Sequence, residues 1–357
     1  MSNTVDAAHE LGFADDEIAR CFQRKGLLSI ELEFTRKCNL RCLYCYANAG
    51  EAAENELRAD EIKSVILQAK EMGAKKIVLL GGGEPVIYQG LTDIIRYIQS
   101  LGLQQVLFTN GTLLNGEIAD FLFQHEVLVV IKSNSMRPEV QDTLAGVKGI
   151  FKSIRRGLRH LLEAGYPGKG TTLGLQTVIC RQNIAELPSM WIWARERGII
   201  PYFEILTAQG RAKENSSLEV SVAGIRDLFD ELEEIDREQF GIIWKSRPTI
   251  AAFSCKRHLY SCLINSQGFV QPCTGIDLPV GSIREKPLKE ILQNSPVIMN
   301  LRNIYEKIEG PCKTCEYNCE CYGCRGNAYQ ITGNYLASDP TCWRAHEDPD
   351  ESSPHLC

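Results

Sequence analysis

Residues 34–46 read F-T-R-K-C-N-L-R-C-L-Y-C-Y. Within this stretch Cys38, Cys42 and Cys45 are spaced C-x3-C-x2-C, so one short loop can bring three thiolates onto a single iron–sulfur cube. Thiolates ordinarily hold all four irons of a [4Fe-4S] cube, and three local ligands therefore leave one iron open. An open coordination position is where a metal does chemistry, whereas structural sites are closed. A zinc knuckle is the competing reading. Zinc, however, prefers four ligands arranged in C-x2–4-C pairs, and neither a His nor a fourth Cys stands near this loop.

With Tyr44 the motif becomes C-x3-C-x-aromatic-C, which resembles the radical S-adenosylmethionine (SAM) superfamily. The resemblance implies that the open iron chelates the amino and carboxylate groups of SAM. Reductive cleavage then yields methionine and a 5'-deoxyadenosyl radical, which takes hydrogen from an unactivated carbon.

The whole chain bounds what surrounds this loop. Its 357 residues are enough for one large core and a smaller second one. A formal charge of -6 with a pI near 5.7 gives no general attraction to nucleic acid, and the basic cluster Arg155, Arg156 and Arg159 reads as a solvated helix face. The N-terminus lacks the basic and apolar regions of a signal peptide, and no apolar run approaches the ~18 residues of a membrane span. A cytoplasmic protein is expected. In that reducing compartment 15 cysteines point to metal ligation rather than disulfides; Cys21, with no partner by spacing, reads as an ordinary buried thiol.

From Leu28 onward strand-length apolar runs alternate with amphipathic stretches of helical period. The runs are 29–34, 76–80, 105–109, 127–131, 172–180 and 201–206; the helices fall over 60–72, 91–101, 116–125, 151–164 and 187–197. Gly73, Gly102, Gly165 and Gly198 follow four of these helices, where a left-handed cap is wanted. Alternation of this kind predicts a parallel α/β sheet, with fewer units than the eight of a closed barrel. The resemblance implies a partial (β/α)6 TIM-like barrel followed by a small cysteine-rich iron–sulfur domain. The expected organisation is an N-terminal extension over 1–27, the barrel over 28–215, a helical bridge over 216–250, an auxiliary-cluster domain over 251–346 and a disordered tail over 347–357.

G-G-G-E-P (81–85) ends the second strand. Glycine permits close backbone approach to a ligand, and the resemblance implies that Gly82, Gly83 and Glu84 hold the amino group of SAM. T-N-G (109–111) ends the third strand and resembles a family segment lining the ribose side of SAM, which implies that Asn110 contacts the cofactor. The fourth strand departs from the family, where V-S-L-D is common and an Arg follows. Here I-K-S-N (131–134) and T-L-A-G (143–146) stand instead. Ser133 matches the serine near the SAM carboxylate, and Lys132 is expected to replace the missing arginine as its countercharge. Arg211, in Q-G-R-A, resembles a segment lining the cofactor site.

Nine cysteines fall between Cys255 and Cys342. Their order resembles the SPASM extension of radical SAM enzymes and implies two auxiliary [4Fe-4S] clusters, three clusters in all. Cys255, Cys262, Cys273 and Cys324 carry over to the first, and Cys312, Cys315, Cys321 and Cys342 to the second, with Cys319 a possible substitute for Cys321. A zinc ribbon is the competing reading of the C-x2-C pairs. Full cysteine ligation makes these clusters electron carriers.

Strand alternation points Leu173, Leu175, Thr177 and Ile179 at the helices and Gly174, Gln176, Val178 and Cys180 at the lumen. Cys180 is thereby a candidate hydrogen-atom donor to a substrate radical, Glu204 and Tyr202 point inward from the sixth strand, and Asp277 is a candidate general base. Flavodoxin or ferredoxin is the expected reductant. The short segment before the first strand favours a small polar metabolite of the sugar or aminocyclitol type over a ribosomal peptide, and an electron relay or zinc-binding module is the non-catalytic rival.

Overall fold

The computed structural model describes residues 11–168 and 170–346; the expected tail lies outside them. A short helix, α1 (Asp15–Gln23), precedes β1 (Ser29–Thr35). Then α2 (Ala59–Glu71), β2 (Lys76–Gly82), α3 (Leu91–Ser100), β3 (Gln104–Thr109), α4 (Gly116–Gln124) and β4 (Leu128–Lys132) follow. Two helices, α5 (Pro138–Ala145) and α6 (Ile150–Ala164), separate β4 from β5 (Leu173–Ile179), and α7 (Leu187–Arg195) leads to β6 (Ile200–Ile205). All six strands are parallel, in the spatial order β6-β5-β4-β3-β2-β1. The partial barrel read from the sequence is the fold.

The local reasons are plain. On α2 the buried residues Ile62, Val65, Ile66 and Ala69 recur at helical spacing, as do Leu91, Ile94, Ile95 and Ile98 on α3. These stripes meet Ile30, Leu32 and Phe34 of β1, together with Ile77 and Leu79 of β2, in one continuous core. Gly73, Gly102, Gly165 and Gly198 all have positive φ where the chain leaves a helix. Helix α5 was absent from the expectation. Its eight residues include Pro138 at the first turn, and only Gln141, Leu144 and Ala145 are buried, too few for a visible stripe.

Beyond β6 the bridge contains α8 (Val222–Ile235), and Asp236 at its end is fully buried, accepting from Trp191, Arg195 and Trp244. The cysteine-rich half then continues the same sheet. Strand β7 (Leu263–Ile264) pairs parallel with β1, and β8 (Phe269–Gln271) and β9 (Gly281–Ser282) add antiparallel partners. Short helices α9 (Leu288–Asn294), α10 (Pro296–Arg302), α11 (Ile304–Lys307), α12 (Pro311–Thr314) and α13 (Arg325–Thr332) complete the fold. The first of them join the main core through Leu288, Ile291, Leu292 and Ile298, while Cys273, Ile276, Leu301, Ile304, Ile308 and Tyr322 form a separate small cluster. Among the described residues no helix is long and apolar enough to cross a membrane.

Candidate active site

The loop after β1 carries Cys38, Cys42 and Cys45 into the wall of one cavity, beside Glu84, Lys132 and Arg211. Backbone contacts hold the loop from several sides. Arg41 and Leu43 donate their amides to Ala145 and Leu144 at the end of α5. Arg211 donates from Nε to the Cys42 carbonyl at 2.8 Å and from Nη1 to the Ala49 carbonyl at 3.0 Å. Gly146 and Gly210, both at positive φ, lie so close to the loop that a Cβ on either would overlap the Arg41 or the Cys45 and Tyr46 carbonyls. These two glycines were not singled out in the sequence, where each reads as an ordinary turn.

Amides of Leu40 and Ala49 donate to the sulfurs of Cys38 and Cys45, each at 3.4 Å. Such donors favour the thiolate, against burial, which pushes the Cys38 thiol up to about 11 and raises Cys42 as well. Three thiols on one cavity wall with sulfur-directed amides fit the ligand set of an iron–sulfur cube. Among the described residues no three His, Cys, Asp or Glu side chains converge on a single ion, and a cube does not require that, since each iron takes its own thiolate.

G-G-G-E-P is sewn to the cysteine loop. The Gly83 amide donates to Thr35 at 2.7 Å and the Glu84 amide to Lys37 at 2.9 Å. A Cβ on Gly83 would occupy the Lys37 carbonyl, and one on Gly82, at φ +64°, would meet the Glu33 carboxylate at 2.9 Å. Glu84, 1% exposed, accepts from Thr109 Oγ1 at 2.6 Å, the Asn110 amide at 2.7 Å and the Val86 amide at 3.1 Å. It joins the ends of β2 and β3 while lining the cavity; burial raises its pKa and these donors oppose the rise. Asn110 lines the same wall and donates to Asn39 at 3.0 Å.

Lys132 reaches the cavity with its ammonium 5.0 Å from the centre of the Tyr44 ring. The Tyr44 hydroxyl accepts from Asn134, a fully buried side chain whose oxygen in turn accepts from the Val178 amide. Asn134, passed over in the sequence, thus orients the aromatic of the cysteine motif. Ser133 is 3% exposed, pairs through its backbone with Gln176 and Thr177, and is not in the cavity wall.

Strand β5 keeps the expected faces: Gln176 and Val178 line the cavity, and Leu173, Leu175 and Ile179 enter the core. Cys180 follows the last residue of the strand. It is fully buried against Tyr44, Leu144, Val178 and Leu218, away from the cavity wall, and burial pushes its thiol up to about 12. Asp277 likewise stands outside the cavity, exposed and accepting from Gln330 at 2.8 Å. Glu204 and Tyr202 do line it, and Gln176 donates to Glu204. Burial raises the Glu204 pKa, with Lys132 and Gln176 pulling it back. Also in the cavity wall, Arg257 forms an ion pair with Glu31 of β1 at 2.6 Å, and that carboxylate holds the guanidinium charged. Thr274 and Gly275, next to Cys273, close the cavity from the cysteine-rich half.

In that half Gly275 and Gly326 meet back to back, a Cβ on Gly326 standing 2.9 Å from the Gly275 Cα. This contact brings the Cys273 turn to the helix that follows Cys324. Cys255, Cys273 and Cys324 are close enough that the first opposes ionisation of the other two. Cys312 acts similarly on Cys321, which is half-buried and accepts from the Gly323 amide, whereas Cys319 is exposed. Cys262 stands apart: it is 1% exposed in the main core, beside Arg302.

The Radical SAM superfamily model matches residues 32–189, and the SPASM iron–sulfur cluster-binding domain model matches residues 255–316. An AdoMet-dependent heme synthase of Methanosarcina barkeri is 31% identical over 341 residues, covering 88% of this chain and 95% of that relative. An Fe-coproporphyrin III synthase of the same organism is 27% identical over 88% of this chain and 87% of its own length. A PqqA peptide cyclase of Granulibacter bethesdensis is 25% identical over 89% of this chain and 86% of its own. Among solved structures, Streptococcus suis SuiB bound to S-adenosylmethionine superposes with a TM-score of 0.71 at 16% identity, over 91% of this chain and 80% of that one.

The fold and its clustered cysteines therefore define a SAM-dependent radical enzyme. The chain belongs to the radical SAM superfamily and carries the SPASM extension, with [4Fe-4S] clusters and SAM as its cofactors.

Proposed function

We propose that this enzyme oxidises a peripheral side chain of an iron tetrapyrrole, converting a propionate to a vinyl group. The observation that carries the reading is the extent of the heme synthase likeness, which runs through both halves of the chain. The cavity supports it, because its walls come from both halves, so a substrate there lies between the three-cysteine loop and the Cys273 turn. Haem differs from Fe-coproporphyrin in carrying vinyl groups where the latter has propionates. The conversion removes one hydrogen atom, one electron and CO2 from the side chain, and needs no oxygen. When bound, SAM and the clusters would supply the 5'-deoxyadenosyl radical and a place for the electron to go.

The chain's own part is to bind and orient. Lys132 and Arg257, both in the cavity wall, present cations to the carboxylates of SAM and substrate. Glu84 supplies a carboxylate for the SAM ammonium, Asn134 fixes the Tyr44 ring, and Val178 and Tyr202 keep water from the reacting carbon. A sugar or aminocyclitol substrate gives way here, because the relatives named above are tetrapyrrole synthases and a peptide cyclase.

The test is an anaerobic incubation of reconstituted enzyme with dithionite, SAM and Fe-coproporphyrin III deuterated on its propionates. Loss of CO2 from the porphyrin, matched by deuterium in 5'-deoxyadenosine, is expected. Deoxyadenosine without label, alongside an unchanged porphyrin, would overturn the reading, and label arriving from a peptide instead would favour the peptide-modifying relatives.

A further inference from the structure

Family resemblance assigns Cys262 to the first auxiliary cluster, and its position argues otherwise. Strand β7 pairs Glu31 with Leu263 and Leu32 with Ile264, and the Glu31 amide donates to the Cys262 carbonyl at 2.9 Å. Side chains alternate across a strand. Ile264 shares the core with Ile30 and Leu32, and so does Cys262, while Glu31 points into the cavity. Cys262 is thus sealed on the helix side of the sheet, away from the cavity that Thr274 and Gly275 of the Cys273 turn border.

His258 occupies the right side. It lies in the single turn Arg257–Leu259, 5% exposed, with its ring 5.7 Å from that of Tyr322. Tyr322 sits between Cys321 and Cys324 in the chain and packs in one small buried cluster with Cys273. The described contacts include no side-chain hydrogen bond of His258, and its ring nitrogens are not among the enclosed polar atoms left without a partner. The imidazole edge is therefore reachable, and a neutral ring has one lone pair to offer a ligand. The spacing agrees: Cys255-x2-His258 repeats the interval of Cys312-x2-Cys315 and Cys321-x2-Cys324.

We propose that the first auxiliary cluster is held by Cys255, His258, Cys273 and Cys324, and that Cys262 is a core residue. The inference rests on the SPASM assignment and is independent of which substrate is oxidised. A neutral imidazole donates its lone pair to one iron, no electron moves, and only the three thiols lose protons. Replacing a thiolate by imidazole lowers the negative charge on the cluster and raises its reduction potential, as in Rieske centres. A cluster tuned this way is a better acceptor for an electron leaving a substrate radical.

The experiment uses the full chain with Cys38, Cys42 and Cys45 replaced by Ala, reconstituted anaerobically, so that only auxiliary clusters contribute to the spectra. Pulsed EPR of the reduced protein, grown with 14N- or 15N-histidine, should show a strongly coupled histidine nitrogen. In His258→Cys that coupling should vanish while iron content stays the same and the midpoint potential falls. Cys262→Val should keep both its iron and the nitrogen coupling. Absence of coupling in the parent protein, or loss of about four irons from a folded Cys262→Val, would overturn the proposal. Inertness toward porphyrin bears on the substrate alone and leaves these readouts untouched.

Discussion

Two cysteine sites in this chain are built on opposite plans. The three cysteines after β1 lie within eight residues, and the surrounding chain closes on their backbone through Arg211, the end of α5, and glycines 83, 146 and 210. The C-terminal cysteines span residues 255–342 on short turns, placed by distant contacts such as Gly275 against Gly326. A loop of the first kind shows its ligands in its spacing. A set of the second kind shows only that cysteines are numerous, and which of them meet depends on such contacts between residues distant in sequence.

The contrast can be broken first at Gly83. Gly83→Ala places a methyl group where the Lys37 carbonyl lies, so 5'-deoxyadenosine formation should fall below detection while the auxiliary EPR signals persist; loss of both sets together would show that the two sites are not separable. Arg211→Ala removes two charged hydrogen bonds from the loop, each worth about 1.5–3 kcal/mol. Water can replace part of that loss, so a net effect of about one such bond is expected: SAM cleavage should drop ~10- to 100-fold, with partial recovery in Arg211→Lys, measured as deoxyadenosine per chain at fixed iron content.

Lys132→Ala should raise the KM for SAM about tenfold with little change in iron, the loss of one charge-assisted contact; an unchanged KM would remove Lys132 from the SAM site. Gly326→Ala forces the Gly275 backbone away and should destabilise the cysteine-rich half by ~1–3 kcal/mol in chemical denaturation, leaving SAM cleavage intact. The smallest effect concerns the ion pair between Arg284 and Glu61 of α2, at 2.6 Å. Arg284 holds the Glu61 carboxyl down at about 2, from an ordinary 4.5. A depressed carboxyl stabilises the fold above its unfolded pKa and ceases to do so as pH falls through the folded value. Arg284→Ala should therefore cost ~0.5–1 kcal/mol near neutrality, and the difference from the parent should close between pH 4.5 and 2.

Much of the barrel was legible because strands and helices of ordinary length announce their period. The six strands, the glycine caps and the faces of β5 all follow from patterns a few residues long, whereas the contact of G-G-G-E-P with the cysteine loop is visible only in the fold. The sheet's continuation did not, since two-residue strands such as β7 have no period to read. Cys180 packs with Val178 of the cavity face but is covered by Tyr44, Leu144 and Leu218, residues distant in sequence that no strand pattern shows. Asn134 escaped notice because its partner, Tyr44, is 90 residues away in sequence. Glu31 and Glu33 of β1 were legible in principle: two acids in an otherwise buried parallel strand need partners, and they find Arg257 and Tyr46.

β1 is hydrogen-bonded on both edges, to β2 on one side and β7 on the other. The rate at which an electron tunnels between redox centres falls off steeply with the gap, so a hinge at that seam would make such transfer erratic. A shared sheet instead ties the two halves by backbone pairing, so that whatever crosses the cavity does so between walls joined through β1.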